Sequence, residues 1–161
     1  ELAAGFCLTE GVIDDPDELE RAEPCTEADY GNVVNVTLCG AAAARWAEQR
    51  TRARRDLYLS SSCGLCGART IDRIARRVPP VAGNFVVSPD VLVKLPATLA
   101  TAQGVFARTG GLHAAGLFHA DGRMRLVRED VGRHNAVDKL IGALLLSGQL
   151  PAGPGVLLVS G

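Results

Sequence analysis

Aromatic residues make up only 4% of this chain, and Lys+Arg and Asp+Glu nearly cancel at 17 and 18 for a formal net charge of −1. With so few stacking groups and no excess positive charge, general nucleic-acid binding is not expected. No apolar run approaches the ~18 residues of a membrane span, so no membrane association is expected and the cytoplasm is the expected compartment. A second CxxC or a paired His is also missing: Cys7, Cys25 and Cys39 stand alone, which argues against a four-ligand zinc site. Five cysteines is an odd number, no signal peptide is visible and the chain is too long to need staples, so a disulfide scaffold is excluded as well. Lysine is nearly absent, since fifteen of the 17 basic residues are Arg, a bias that suits planar, bidentate contacts to phosphate or carboxylate. At 161 residues and 47% hydrophobic, the chain reads as one domain with a real core.

What is present stands out against those absences. Ser60-Ser61-Ser62-Cys63-Gly64-Leu65-Cys66-Gly67 sets two cysteines two residues apart among serines and glycines, a poor core element and a good exposed loop. Ile71, Ile74 and Val78 follow at helical spacing, which places the pair at or just before a helix N-terminus. Free backbone N–H groups there, with Arg69 and Arg73 nearby, favour thiolate and lower a cysteine pKa from its free value of about 8.5. By itself the motif leaves redox chemistry, a metal fragment and a thiol relay open. Charge is distributed unevenly: residues 1–30 hold ten acids and one arginine, and residues 45–77 hold nine arginines against three acids. A solvated helix face is the reading of the Arg50–Arg55 run, with a specific binding surface as the alternative, and the acidic first thirty residues are a candidate partner contact.

Hydrophobic periodicity predicts the elements. Residues 1–10 read as a helix with Leu2 and Phe6 on one face and Gly11 as its C-terminal cap. Residues 30–38 read as a strand, 45–55 as a polar helix and 56–59 as a short strand delivering the cysteine loop. Phe85-Val86-Val87 is expected to be extended. Ser88-Pro89-Asp90 supplies an N-cap, a first-turn proline and an acid for a helix running towards Gln103 with Pro96 inside it. Ala120-Asp121-Gly122 between two apolar runs is a hairpin signal. Val137, Leu140, Ile141, Leu144 and Leu145 share a helix face that ends near Gly148, and Val156–Val159 is a strand. Hairpin, helix and strand together predict an α/β (α+β) fold, a mixed sheet covered by helices. The chain opens inside a helical pattern and closes on a buried-strand pattern, so both ends are expected to continue.

Two polar clusters do not read as packing. Gly110-Gly111-Leu112-His113 allows close approach of a ligand, and Arg128-Glu129-Asp130-Val131-Gly132-Arg133-His134-Asn135 crowds six polar side chains at a strand-to-helix junction. A helix N-terminus binds anions, so Arg133 and His134 are candidate donors to a phosphate or a charged heterocycle. A capped helix start with a hydrogen-bonded histidine is the structural alternative. His119 is expected to be merely exposed in the hairpin turn.

Three stretches taken in order, Ser-Ser-Cys-Gly-Leu-Cys-Gly at 61–67, Thr-Gly-Gly-Leu-His-Ala-Ala at 109–115 and Arg-Glu-Asp-Val-Gly-Arg-His-Asn-Ala-Val-Asp-Lys-Leu at 128–140, resemble the formate dehydrogenase accessory sulfurtransferases, the FdhD/NarQ family. Residues 1–11 resemble that family's early helix. The resemblance implies a cytoplasmic sulfur carrier that accepts persulfide sulfur from a cysteine desulfurase on Cys63. It delivers that sulfur to the molybdenum or tungsten bis(guanine dinucleotide) cofactor, the cargo, before insertion into formate dehydrogenase. Cys66 is a second catalytic candidate, and Gly110, Gly111, His113, Arg133 and His134 are candidate cofactor-binding residues. The resemblance also implies a homodimer and a cytidine deaminase-like fold. On that division residues 1–80 form an N-terminal portion carrying the 60–67 loop, and 81–161 a deaminase-like portion truncated at its C-terminus. In deaminases the helix begins with a His/Cys-x-Glu motif and the next strand leads into Pro-Cys-x-x-Cys. Here the helix start is His134-Asn135-Ala136 and no paired cysteines follow Ser160, so zinc-dependent deamination is not expected and no metal is assigned. A nucleotide-binding module without sulfur chemistry and a CxxC dithiol oxidoreductase are the alternative functions.

Overall fold

The computed structural model describes residues 1–26, 32–52 and 83–160. The cysteine loop, the expected strand at 56–59 and the helix after the loop lie outside the described residues.

Helix α1 spans Leu2–Thr9 and ends as expected, with Gly11 at φ 67° just past the C-cap Glu10. Its buried face is a different one from that expected: Ala4, Gly5 and Cys7 are buried, whereas Leu2 is 37% exposed. Small residues win that face because the partner helix lies too close for large ones. Strands β1 (Leu19–Pro24) and β2 (Val34–Leu38) form an antiparallel ribbon. β1 escaped the alternation test for a local reason. An irregularity between Leu19 and Arg21 inserts Glu20 as an extra residue, so the two residues that pack on the core, Leu19 and Ala22, are three apart rather than two. Helix α2 (Gly40–Arg52) starts five residues earlier than charge patterning suggested, because Ala41–Ala44 are strong helix formers and Ala42 is fully buried.

The second half follows its local signals closely. Ser88 caps helix α3 (Pro89–Ala102), accepting from the Asp90 N–H at 3.3 Å, and Pro96 sits within the helix. Phe85–Val87 makes no ladder among the described residues. A short helix α4 (Phe106–Thr109) closes on Gly110 in the left-handed conformation. β3 (His113–Phe118) and β4 (Met124–Asp130) form the expected hairpin, with Gly122 at φ 85° in the turn. Helix α5 (Arg133–Leu146) and β5 (Val156–Val159) complete the chain.

The three-stranded sheet has the order β4-β3-β5, with β3 antiparallel to both neighbours. The α+β character and the helix-covered sheet are as expected, and every described ladder is antiparallel. The outer strands β4 and β5 therefore run parallel to one another across β3, and α5 makes the crossover between them. Successive β3 side chains point to opposite faces. Ala115 and Leu117 meet Ala136, Leu140 and Leu144 of α5, whereas Ala114 and Phe118 meet Leu95 and Leu99 of α3. Each large apolar side chain so buried contributes about 1.5–3 kcal/mol. Gly116, between them, lies against the Leu99 Cδ1 and the Phe118 ring, where a Cβ would stand 2.8 Å from each.

α1 lies along α5 at a glycine-to-glycine crossing. A Cβ on Gly5 would fall 1.8 Å from the Asp138 carbonyl oxygen, and one on Gly142 would fall 1.9 Å from that of Glu1. Beside the crossing, the Thr9 hydroxyl donates to Asp138 Oδ1 at 2.7 Å. At the other end of α1, Arg128 of β4 makes a fork of two 2.7 Å bonds to the Glu1 carboxylate. The first helix is thus keyed into the same layer as α5.

Candidate functional site

Antiparallel register gathers one end of the sheet. His113 opens β3 directly opposite Asp130, which closes β4, and β5 arrives at the same end. There the Ala114 N–H donates to the Ser160 hydroxyl oxygen at 2.8 Å and the Ser160 N–H donates to the Ala114 carbonyl at 2.9 Å. Gly110 and Gly111 precede His113, and the N-terminus of α5 follows Asp130 after a turn. Both polar clusters singled out in the sequence therefore meet. His119, exposed in the hairpin turn, lies at the opposite end of β3.

The 128–135 cluster sorts into groups that build the site and groups that are left over. Arg128 is held by Glu1, and the guanidinium keeps the Glu1 carboxyl below the usual glutamate range. Glu129 accepts from the Val105 N–H at 2.9 Å and the Phe106 N–H at 2.8 Å. Asp130, 9% exposed, accepts from the Gly132 N–H and the Asn135 amide, both at 3.0 Å, and pairs with Lys139 at 2.5 Å. Burial alone would raise the Asp130 pKa, but the Lys139 bond with those from Gly132 and Asn135 outweighs it and holds the carboxyl below its ordinary value. The residue at the helix N-cap, Gly132, has no side chain to cap with; Asp130, two residues earlier, supplies the acceptor.

Arg133 and His134 occupy the first turn of α5 and are exposed, and their side chains make no hydrogen bond or ion pair with the described residues. The same holds for the half-buried His113. Gly110 and Gly111 face open space, with no described atom closer than 3.9 Å to a Cβ on either. This geometry leaves a guanidinium, two imidazoles and first-turn N–H groups available at a strand end beside unencumbered backbone, an arrangement that receives anions. No group of three His, Cys, Asp or Glu among the described residues is placed to hold a metal. Ala136 is fully buried in the apolar layer with Ala115 and Leu140. Of the other thiols, Cys7 is buried and burial pushes its pKa up, away from reactivity. Cys25 sits opposite Val33 at one end of the β1–β2 ribbon and Cys39 opposite Glu18 at the other, too far apart to pair. Cys63 and Cys66 lie outside the described residues.

Sequence reading missed the structural work of Glu129, Asp130 and Lys139. The signal was two adjacent acids at a strand end with a lysine nine residues on, but nothing in it said which chain segments they hold. Ser160 was also missed, since only the β3–β5 register brings it to Ala114, the residue after His113.

The fold is that of a helix-covered α+β protein, with the candidate residues gathered at one strand end. The FdhD/NarQ family profile matches residues 1–161, and the chain belongs to that family. It is 46% identical over 169 residues to the sulfur carrier protein FdhD of Streptomyces avermitilis, covering 99% of this chain and 58% of that protein. It is likewise 46% identical to the sulfur carrier protein FdhD of Mycolicibacterium paratuberculosis, covering 100% of this chain and 60% of that protein. A crystal structure of a candidate formate dehydrogenase accessory protein from Desulfotalea psychrophila shares the fold at a TM-score of 0.65 and 20% identity, covering 99% of this chain and 54% of that one. The chain thus spans somewhat over half the length of the relatives it matches. No helix among the described residues is long and apolar enough to cross a membrane.

Proposed function

We propose that this chain acts as a cytoplasmic sulfur carrier and sulfurtransferase for formate dehydrogenase maturation. Cys63 takes persulfide sulfur from a cysteine desulfurase and passes it to a molybdenum or tungsten bis(guanine dinucleotide) cofactor, its substrate. The observation that carries this is the family match over all 161 residues, in a chain that retains Cys63-Gly64-Leu65-Cys66 in a serine- and glycine-rich stretch. In the first step the Cys63 thiolate attacks the outer sulfur of the donor persulfide and the donor cysteine leaves as thiolate. In the second, the Cys66 thiolate attacks Cys63 Sγ, hydrosulfide leaves towards the metal, and a Cys63–Cys66 disulfide remains for a thiol reductant to open. Gly110, Gly111, His113, Arg133 and His134 receive the nucleotide part of the cargo: phosphate on Arg133 and the α5 N-terminus, backbone approach at the glycines. Formate dehydrogenase is the client, and the working form is a homodimer.

Intact-mass spectrometry after incubation with a cysteine desulfurase and cysteine tests this. A thiol-reducible adduct of about +32 Da, one sulfur atom, is expected in the wild type and in Cys66→Ala and absent from Cys63→Ala. An adduct indifferent to Cys63, or none, removes the sulfur-transfer mechanism and leaves a nucleotide-binding module.

A further inference from the structure

We propose that Glu129 and Asp130 are positioning residues that hold the two walls of the ligand site, one on each face of the sheet. This rests on the proposal above that the His113 end of the sheet receives a guanine nucleotide. Consecutive strand residues point to opposite faces, and past an irregularity at Arg125 β4 follows that rule from Leu126 to its end. Leu126 packs on the α5 side, Val127 on the α3 side, and Arg128 on the α1–α5 side through Glu1. Glu129 then faces the α3 side, and its two carboxylate oxygens take the N–H groups of Val105 and Phe106. Those two N–H groups begin the four-residue helix α4, whose far end is Gly110. Fixing one end of so short a helix fixes where the Gly110–Gly111 backbone lies.

Asp130 faces the α5 side and holds the other wall. It accepts from the Gly132 N–H, which sets the entry into α5, and from Asn135 in the first turn, beside Arg133 and His134. Lys139, about one turn beyond Asn135 on α5, ties the two carboxylate-bearing residues together. Its ammonium pairs with Asp130 Oδ2 and donates to the Glu129 carbonyl at 3.1 Å. Neither acid has a carboxylate oxygen pointed at an unexplained space. Each is engaged with backbone or side chains of a neighbouring segment, which is the behaviour of a support rather than of a ligand contact. A nucleotide laid across the strand end would touch the glycines on one side and Arg133 and His134 on the other, and the distance between these walls is set by β4.

The test measures binding of a fluorescent GDP analogue to the intact protein, with melting temperature and amide hydrogen exchange followed in parallel. Glu129→Ala and Asp130→Ala are each expected to weaken GDP about tenfold, and Glu129→Gln and Asp130→Asn, which keep one acceptor oxygen, to fall between. Exchange should quicken at the Val105 and Phe106 amides in Glu129→Ala and at Gly132 in Asp130→Ala. Double-mutant cycles with Arg133→Ala separate positioning from general damage. Asp130→Ala should add little to Arg133→Ala, because both disable the same wall, whereas Glu129→Ala should multiply with it. Wild-type affinity in both single variants, or equal multiplication in both cycles, overturns the proposal. A wild type that does not bind GDP overturns the nucleotide reading itself, and the assigned role of the two acids falls with it.

Discussion

Replacing Gly142 by alanine puts one methyl group where the structure has no room. Its carbon would stand 1.9 Å from the Glu1 carbonyl oxygen, 2.7 Å from that carbonyl's carbon and 2.8 Å from the Gly5 nitrogen, all of them backbone. No rotamer change relieves a clash with backbone, so α1 and α5 must move apart by more than an ångström to restore ordinary contact. That movement loosens Ala4 and Cys7 from Leu145 and stretches the 2.7 Å Thr9–Asp138 bond. Overpacking costs about 1–3 kcal/mol, and a backbone clash belongs at the top of that range. Alanine returns about 1 kcal/mol through helix propensity. The net loss is about 2 kcal/mol, which for a chain of this size lowers Tm by roughly 4–8 °C. Thermal denaturation followed by circular dichroism measures it, with Gly5→Ala as the reciprocal variant. The double variant should lose less than the sum, because helices already parted accommodate the second methyl more cheaply. If either single variant melts at or above the wild-type temperature, the crossing is not packed as described.

Two further outcomes follow from charges near the core. The Arg45 fork, with N–H bonds from Asp14 and Asp15, holds the Glu18 pKa at about 2. A depressed carboxyl contributes stability that is full above its unfolded value of about 4.3 and is lost as pH falls towards about 2. The Tm gap between wild type and Glu18→Gln should therefore close across that window, and a gap constant from pH 5 to 2 would refute the pairing. Asp138 is displaced the other way: burial between α1 and α5 raises its pKa, Glu10 adds to the rise, and the Thr9 bond and His134 oppose it. A raised carboxyl contributes stability below its unfolded value of about 3.9 that is lost as pH climbs through the folded one. Asp138→Asn keeps an acceptor for Thr9 and should raise Tm at pH 7 by about 2–4 °C, on the order of 1 kcal/mol. The advantage should shrink as pH falls from 7 towards about 4. An asparagine variant no more stable at pH 7 than the wild type would count against the burial of that charge.

Elements specified by local chemistry were legible from the residues alone. Ser88-Pro89-Asp90 fixes a helix start through one side-chain acceptor and one preset φ, and Ala120-Asp121-Gly122 fixes a turn, so neither needs a distant partner. The α5 stripe of Val137, Leu140, Ile141, Leu144 and Leu145 repeats at helical spacing. β1 was not legible, because a single inserted residue breaks the alternation on which strand recognition depends. The buried face of α1 was misread because side-chain size usually marks the core side, whereas here a glycine-to-glycine crossing selects small residues.

The candidate site divides in the same way. The sequence by itself singled out the candidate residues, the Cys63–Cys66 motif, the paired glycines, His113, Arg133 and His134, because residue type and local spacing set what each can donate or accept. The tertiary structure alone decided that Gly110, His113 and Arg133 share one end of a sheet, and that Glu129 and Asp130 hold the chain on opposite faces of it. Antiparallel register and the alternation of strand side chains bring together residues far apart in sequence, and that arrangement exists only once β3, β4 and β5 are paired.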